Sequence, residues 1–166
     1  MKHTAVYALT PQGARLARAL AAELRARLYL PRKLAAQGEQ AFDSLPALVA
    51  EVFHAHSGHV FVAACGIVVR AIAPHLKGKA RDPAVVAMDQ NGRHAVSLLS
   101  GHLGGANDLA RRAAALSGGE AVITTATDTA GLPSLDMLAR DSGLAIENLD
   151  AVKDANSGLL AGLMVQ

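Results

Sequence analysis

The 166-residue chain is 51% hydrophobic and 3% aromatic, and its sixteen Lys and Arg against fourteen Asp and Glu leave a formal net charge of +2. The apolar fraction is ample for a buried core and excludes a disordered tail, while balanced charge and scarce rings argue against a nucleic-acid binder. The apolar runs are broken well before the roughly 20 residues of a membrane span, the basic start "MKHTAVYALTPQG" has no cleavage site for a secretory signal, and the single cysteine, Cys65, forms no internal disulfide. Together these fit a cytoplasmic protein that needs no membrane.

Residues 3–9 alternate as a strand and meet Thr10-Pro11, an N-cap with proline at the first helical position. A helix over 11–25, with Leu16, Leu20, Ala21 and Leu24 on one face, leads to a second strand at 26–30. The polar, glycine-broken stretch 31–42 reads as a surface connection. Asp43 or Ser44 caps a helix reaching His54 with Leu45, Leu48, Val49 and Val52 as its stripe. A strand over 58–64 then runs to Cys65-Gly66, and 67–76 is again helical. Repeated β-α-β units predict parallel strands with helices on both faces.

The pattern changes at Asp89-Gln90-Asn91-Gly92-Arg93, which joins apolar segments 84–88 and 94–98 with a strong hairpin signal, so one strand should run antiparallel. A glycine-rich turn comes next, then a helix over 105–116 and a strand at 121–124 that a crossover makes parallel to 94–98. Helix 134–141, strand 144–147 and helix 150–162 complete the reading before "LMVQ", which looks like the start of a further strand in a continuing chain. The expected architecture is a three-layer α/β/α fold, its mostly parallel sheet carrying one antiparallel strand from the hairpin near Asn91-Gly92. An N-terminal α/β domain should cover 1–130, with 131–166 beginning a middle region packed on it.

Two segments carry candidate chemistry. In "SLLSGHLGGANDLA" the spacing Gly101-x-x-Gly104-Gly105 is neither a dinucleotide fingerprint nor a P-loop. A glycine turn at a helix N-terminus suits the carboxylate or phosphate of another ligand, or is simply a tight turn. His102 at its mouth would stay neutral and serve as a base or a hydrogen-bond donor, or face solvent; capping alone could explain Asn107 and Asp108 in the first helical turn. In Thr124-Thr125-Ala126-Thr127-Asp128-Thr129, four hydroxyls and a carboxylate could hold ligand oxygens or position a water. Asp128 would orient His102 or act as the base, unless it only caps the next segment of the chain. Parallel strands before them would open both loops on one edge.

The remaining candidates are weaker. His54-x-His56-x-x-His59 spans a helix end and a turn, and reads as a solvated helix C-terminus rather than a metal cluster. Cys65 reads as small apolar filler rather than a nucleophile. Arg70, Lys77, Lys79 and Arg81 form a basic cluster suited to a polycarboxylate, or to ordinary solvation.

The strings "GIVVRAIAPHLKGKARDPAVVAMDQNG", "SLLSGHLGGANDLA" and "VITTATDTAGLPSLDMLA", in this order, closely resemble the N-terminal part of the cobalt-precorrin-5A hydrolase family, the CbiG proteins of anaerobic cobalamin biosynthesis. The resemblance covers roughly residues 45–165; before that the chain fits only in its β-α-β character. It implies a carbon–carbon hydrolase that opens the δ-lactone of cobalt-precorrin-5A and releases a two-carbon unit as acetaldehyde, giving cobalt-precorrin-5B. The cobalt travels with the substrate, so neither a protein-bound metal nor a cofactor is implied. The family continues into a C-terminal domain beyond this stretch, and that domain or other corrin-pathway enzymes are the implied partners. The resemblance supplies motifs and not roles; chemistry suggests His102 or Asp128 as base, and Thr124, Thr125 or the amides of Gly104 and Gly105 as oxyanion donors. Ser100, Gly101, Asn107, Thr127 and Arg70 complete the expected substrate contacts. A non-catalytic corrinoid-binding or scaffold domain, and a nucleotide-binding α/β domain, are the competing readings.

Overall fold

In the computed structural model, which describes residues 3–78, 81–132 and 134–162, the first helix begins where the sequence places its cap. Strand β1 (Thr4–Ala8) leads to α1 (Pro11–Leu24), whose N-cap Thr10 accepts from the Gly13 amide at 3.0 Å. Strands β2 (Arg27–Pro31) and β3 (Gln40–Phe42) come next, then α2 (Leu45–Val52), β4 (Gly58–Val62) and α3 (Cys65–Ile72) with a 3-10 turn at Ala73–His75. Strand β5 (Ala84–Met88), the hairpin, β6 (His94–Leu99), α4 (Ala106–Ser117) and β7 (Glu120–Val122) complete a compact unit of residues Met1–Val122.

The seven strands lie in the order β3-β2-β1-β4-β5-β6-β7, and every pairing is parallel except β5 with β6. Strand β7 pairs parallel with β6, as the crossover through α4 requires, so a single antiparallel pairing reverses two strands. The stretch expected to be a plain connection supplies β3, a three-residue edge strand. Its run is too short to show a period of two.

Both faces of the sheet are covered, which is why β4 and β5 are buried at every residue. One face sets Ala5, Tyr7, Tyr29, Phe61, Val85 and Ala87 against α2 and α3, which pack on each other. Alternate residues such as Val6, Leu30, Val60 and Val86 point the other way, toward α1 and α4. The alanine-rich inner faces of those helices, with Ala14 and Ala17 on α1 and Ala110, Ala113 and Ala114 on α4, let them lie close to the strands.

The second compact unit, Ile123–Gln166, holds α5 (Ala126–Thr129), α6 (Leu135–Asp141) and α7 (Leu149–Leu160). The Leu135 amide donates to Asn156 Oδ1 at 3.0 Å, tying α6 to α7. The strand expected at 144–147 does not form. The Leu144 amide instead bonds the Ala139 carbonyl at 2.8 Å, closing α6 in a Schellman-type turn, and the Leu144 side chain is exposed. The expected strand start "LMVQ" lies outside the described residues.

The three histidines of 54–59 are not a solvated helix end. His59 is 1% exposed, sandwiched among Phe53, Tyr7 and Phe61. A carbonyl can only accept, so Nε2–H of His59 donates to the Phe53 carbonyl (2.9 Å), and Nδ1 accepts from the Tyr7 hydroxyl (2.9 Å). Burial, and then Tyr29, hold the Tyr7 phenol protonated and fit for that donation. His56 repeats the arrangement with the His3 carbonyl (3.0 Å) and the Tyr29 hydroxyl (3.1 Å), and His54 reaches the His75 carbonyl at 2.9 Å. Rings that looked solvent-bound in sequence are thus bonded within the fold. Among the described residues no group of three His, Cys, Asp or Glu is placed to hold a metal ion.

Desolvation pushes the His59 pKa down to about 4. The unfolded chain binds a proton at this residue near pH 6.5, whereas the folded chain resists it until about 4. Stability should therefore be fully present above pH 6.5 and fall by about 3 kcal/mol as the pH drops through that window. Urea unfolding between pH 7 and 4 measures it, and His59→Gln should flatten the dependence over this range.

Candidate functional site

The glycine turn of residues 100–105 joins β6 to α4, and its shape is fixed by two close constraints. Gly105 is the N-cap of α4 at φ +84°, a conformation that L side chains rarely adopt. Gly104 passes so close to Ser100 that a β-carbon on it would meet Ser100 Cβ at 2.3 Å and the Ser100 carbonyl at 2.7 Å. Packing at Gly104 and the backbone conformation at Gly105 thus favour the glycines whatever the turn binds.

The turn directs its amides inward. Gly105 N–H donates to the His102 carbonyl (2.8 Å), Ala106 N–H to Ser100 (3.1 Å) and Asn107 N–H to Gly101 (3.0 Å). Asn107 is 1% exposed and its Oδ1 accepts from the Ser97 hydroxyl at 2.6 Å, so this residue, expected to contact substrate, instead ties α4 to β6. Ser100 is itself left-handed at φ +59°, which costs about 1–2 kcal/mol in a non-glycine residue. Its hydroxyl, also expected to face substrate, donates to the Asp82 carbonyl at 3.0 Å. His102 is half-buried.

The sequence alone did not single out Asp82, although Asp-Pro at 82–83 is a turn signal that could have drawn attention to it. It is 7% exposed and accepts the amides of Lys77 (2.8 Å) and Gly78 (3.0 Å) on its two carboxylate oxygens. The basic cluster is thereby divided. Lys77 and Arg81 sit in this loop, with Arg81 Nη2 donating to the Lys77 carbonyl at 3.3 Å, while Lys79 lies outside the described residues.

Arg70 is not brought to the turn. Its Nη1 donates to the Gly66 carbonyl at 2.9 Å, at the start of α3, where β4 ends. Residue 99, by contrast, pairs with Val85 near the beginning of β5, so the glycine turn opens at the opposite edge of the sheet. An open depression of about 180 Å³ lies at that edge, lined among others by Thr4, Ser57, Gly58, Gly104, Gly105 and Arg112. Cys65 is exposed at the first position of α3 and does not serve as core filler.

In the second unit, Ala126–Thr129 form the one-turn helix α5 rather than an open loop. Thr125, the N-cap of α5, donates its hydroxyl to Asp128 Oδ2 at 2.7 Å, and Thr129 Oγ1 donates to the Ala126 carbonyl at 2.9 Å. Thr127 is buried, its carbonyl accepting from Leu132 N–H at 2.9 Å, while Thr124 is exposed. The pairing of Thr125 with Asp128 gives the carboxylate a fixed direction.

An open, doubly wound sheet covered by helices on both faces, with a glycine turn lacking nucleotide spacing, defines an α/β domain of the class whose usual ligand crevice lies outside the carboxyl ends of the strands. Residues 47–128 match the family model for the cobalamin synthesis G N-terminal region, and residues 133–166 match that for the cobalamin biosynthesis central region. The chain belongs to the cobalamin synthesis G family. It is 42% identical over 95% of its length to a cobalt-precorrin-5A hydrolase of Salmonella typhimurium, covering 45% of that protein. It is 34% identical over 94% of its length to one of Priestia megaterium, covering 44%. The chain thus spans slightly under half the length of these relatives. A crystal structure of a cobalamin biosynthesis protein G homolog from Sulfolobus solfataricus superposes with a TM-score of 0.58, over 96% of this chain and 46% of that one. At 22% identity this match speaks for the fold alone.

The two glycines should separate in mutation. Gly104→Ala drives a β-carbon into Ser100 and should cost about 2 kcal/mol or more. Gly105→Ala meets nothing within 4 Å and should cost only the backbone penalty of about 1 kcal/mol. Denaturant titration of both variants checks the order.

Proposed function

We propose that the chain takes part in cobalamin biosynthesis, in the hydrolytic opening of the δ-lactone of cobalt-precorrin-5A, with loss of a two-carbon unit as acetaldehyde and formation of cobalt-precorrin-5B. The observation that carries this is 42% identity, across almost the whole chain, to a protein named for that hydrolysis. The cobalt belongs to the substrate, so the reading asks for no metal or cofactor bound by the protein. A cytoplasmic setting accords with it, and no described helix is long and apolar enough to cross a membrane.

Lactone opening needs a base to activate water and donors for the developing oxyanion. His102 and Asp128 are our candidates for the base. Asp128 has its carboxylate directed by Thr125, whereas His102 sits in a turn whose backbone is held from three sides. Thr124 and Thr125 are the side-chain donors we favour. Gly105 N–H, engaged with His102, would have to exchange that bond to act as a donor. The depression beside Gly104 and Gly105 is below the roughly 300 Å³ at which ligand pockets begin, so it suits one carboxylate arm of a tetrapyrrole rather than the macrocycle. Arg112 on its rim is the cation for that arm. Ser100, Gly101 and Asn107 then support the turn's shape, Thr127 that of its own segment, and Arg70 would meet a different part of a large substrate.

Cobalt-precorrin-5A incubated with this chain, and separately with a full-length relative, decides the matter through acetaldehyde release. His102→Ala and Asp128→Ala, made in whichever protein is active, should each lower release at least about 100-fold, the scale of a lost general base. Near-normal turnover in both variants would remove these residues from the chemistry.

A further inference from the structure

Asp82 has no role in the reaction as proposed, yet it is a buried carboxylate bonded to two main-chain amides. Those bonds, with Arg81 N–H and Asp82 N–H on the Gly78 carbonyl at 2.9 and 3.0 Å, tie Lys77 and Gly78 to Arg81 and Asp82. The Asp82 carbonyl meets Ser100, eighteen positions away, whose hydroxyl donates to it at 3.0 Å. Ser100 is one of two described non-glycine residues with positive φ, the other being the α1 C-cap Arg25. In that conformation its carbonyl receives the first amide of α4, and its β-carbon is the wall against which Gly104 passes. His102 lies between those two contacts.

We propose that Asp82 acts through Ser100 as a positioning residue for the His102 turn. The carboxylate, bonded to the Lys77 and Gly78 amides, fixes residue 82; the Asp82 carbonyl holds the hydroxyl, and the hydroxyl keeps residue 100 left-handed so that 101–105 and the start of α4 take one shape. A carboxylate that merely closed its own loop would leave the turn indifferent to its replacement. The inference deepens the proposed function, because it rests on the reading that this turn contributes to the site.

Amide hydrogen exchange by NMR in the 166-residue chain tests it without substrate. Ser100→Ala keeps the β-carbon and removes only the hydroxyl, and Asp82→Asn weakens one of the two amide contacts. Each should speed exchange of the Gly105, Ala106 and Asn107 amides roughly tenfold, the scale of one lost hydrogen bond, with β4 and β5 amides within about twofold. The double variant should exchange no faster than the faster single one, since both act on one relay. Unchanged exchange in Ser100→Ala overturns the proposal, as does an Asp82→Asn effect confined to Lys77 and Gly78, or additive effects. Where Asp82→Asn fails to fold, Asp82→Glu, which keeps the charge and displaces the carboxylate, is read by the same criterion. Acetaldehyde release by the same variants is a separate readout: a loosened turn with undiminished release removes the turn from the reaction and leaves the positioning intact.

Discussion

The turn at residues 89–93 reverses the chain, and the antiparallel pairing of β6 with β5 carries residues 100–105 back to the edge where β1, β4 and β5 begin. Two bonds of Asp89 hold that reversal, one to the Asn91 amide at 2.8 Å and one to the His94 amide at 2.7 Å. Had β6 run parallel, the glycine turn would open beside Cys65 and Arg70, outside the carboxyl ends of β1 and β4, where doubly wound sheets usually bind ligands. The observed direction instead puts the glycine turn at the opposite edge of the sheet from the start of α3, where Arg70 bonds the Gly66 carbonyl. A carboxylate at one edge of the sheet thus determines which residues can meet at the other.

That amino-terminal edge is built on the histidine network. His56 Nδ1–H and Ser57 N–H both donate to the His3 carbonyl, and the Ser57 carbonyl receives Ala84 N–H, so the segment entering β4 is bonded to the chain entering β1 and β5. Thr4, Ser57 and Gly58 line the depression beside the glycine turn, which gives the network a place in the site without any direct chemistry. Burial sets a condition on His59, because an unpaired ring nitrogen in this core would cost about 1–3 kcal/mol. Phe53 and Tyr7 meet that condition at the two nitrogens.

Elements whose signal is local were legible in the sequence. Thr10-Pro11, the Leu45 to Val52 stripe and Asn91-Gly92 fix a cap, an amphipathic face and a reversal within a few residues of themselves, and each stands in the structure. Strand β3 and the non-strand at 144–147 were misread because short edge segments take their state from a partner or from the end of a neighbouring helix. The histidines were misread for a related reason. Their spacing fits a helix end equally well, and only the tertiary positions of Tyr7, Tyr29 and Phe53 decide that the rings turn inward. In the same way the sequence offers for Asp82 only the turn signal of Asp-Pro and not its role, since its partners are backbone amides, which every residue carries.

The glycine turn is where these constraints meet. A helix N-terminus attracts anions through amides that lack partners, but at α4 the amides of Gly105, Ala106 and Asn107 are engaged by carbonyls of the turn itself. Backbone capture of a carboxylate is therefore a poor account of this segment, despite the glycines that first suggest it. What the arrangement provides is rigidity: Ser100 held left-handed from outside, Gly104 pressed against it, Asn107 anchored to Ser97, and His102 presented from a loop with few ways to move. On the proposed reading the anion is met by side chains at the rim, such as Arg112, and the turn's contribution is to keep the imidazole in place.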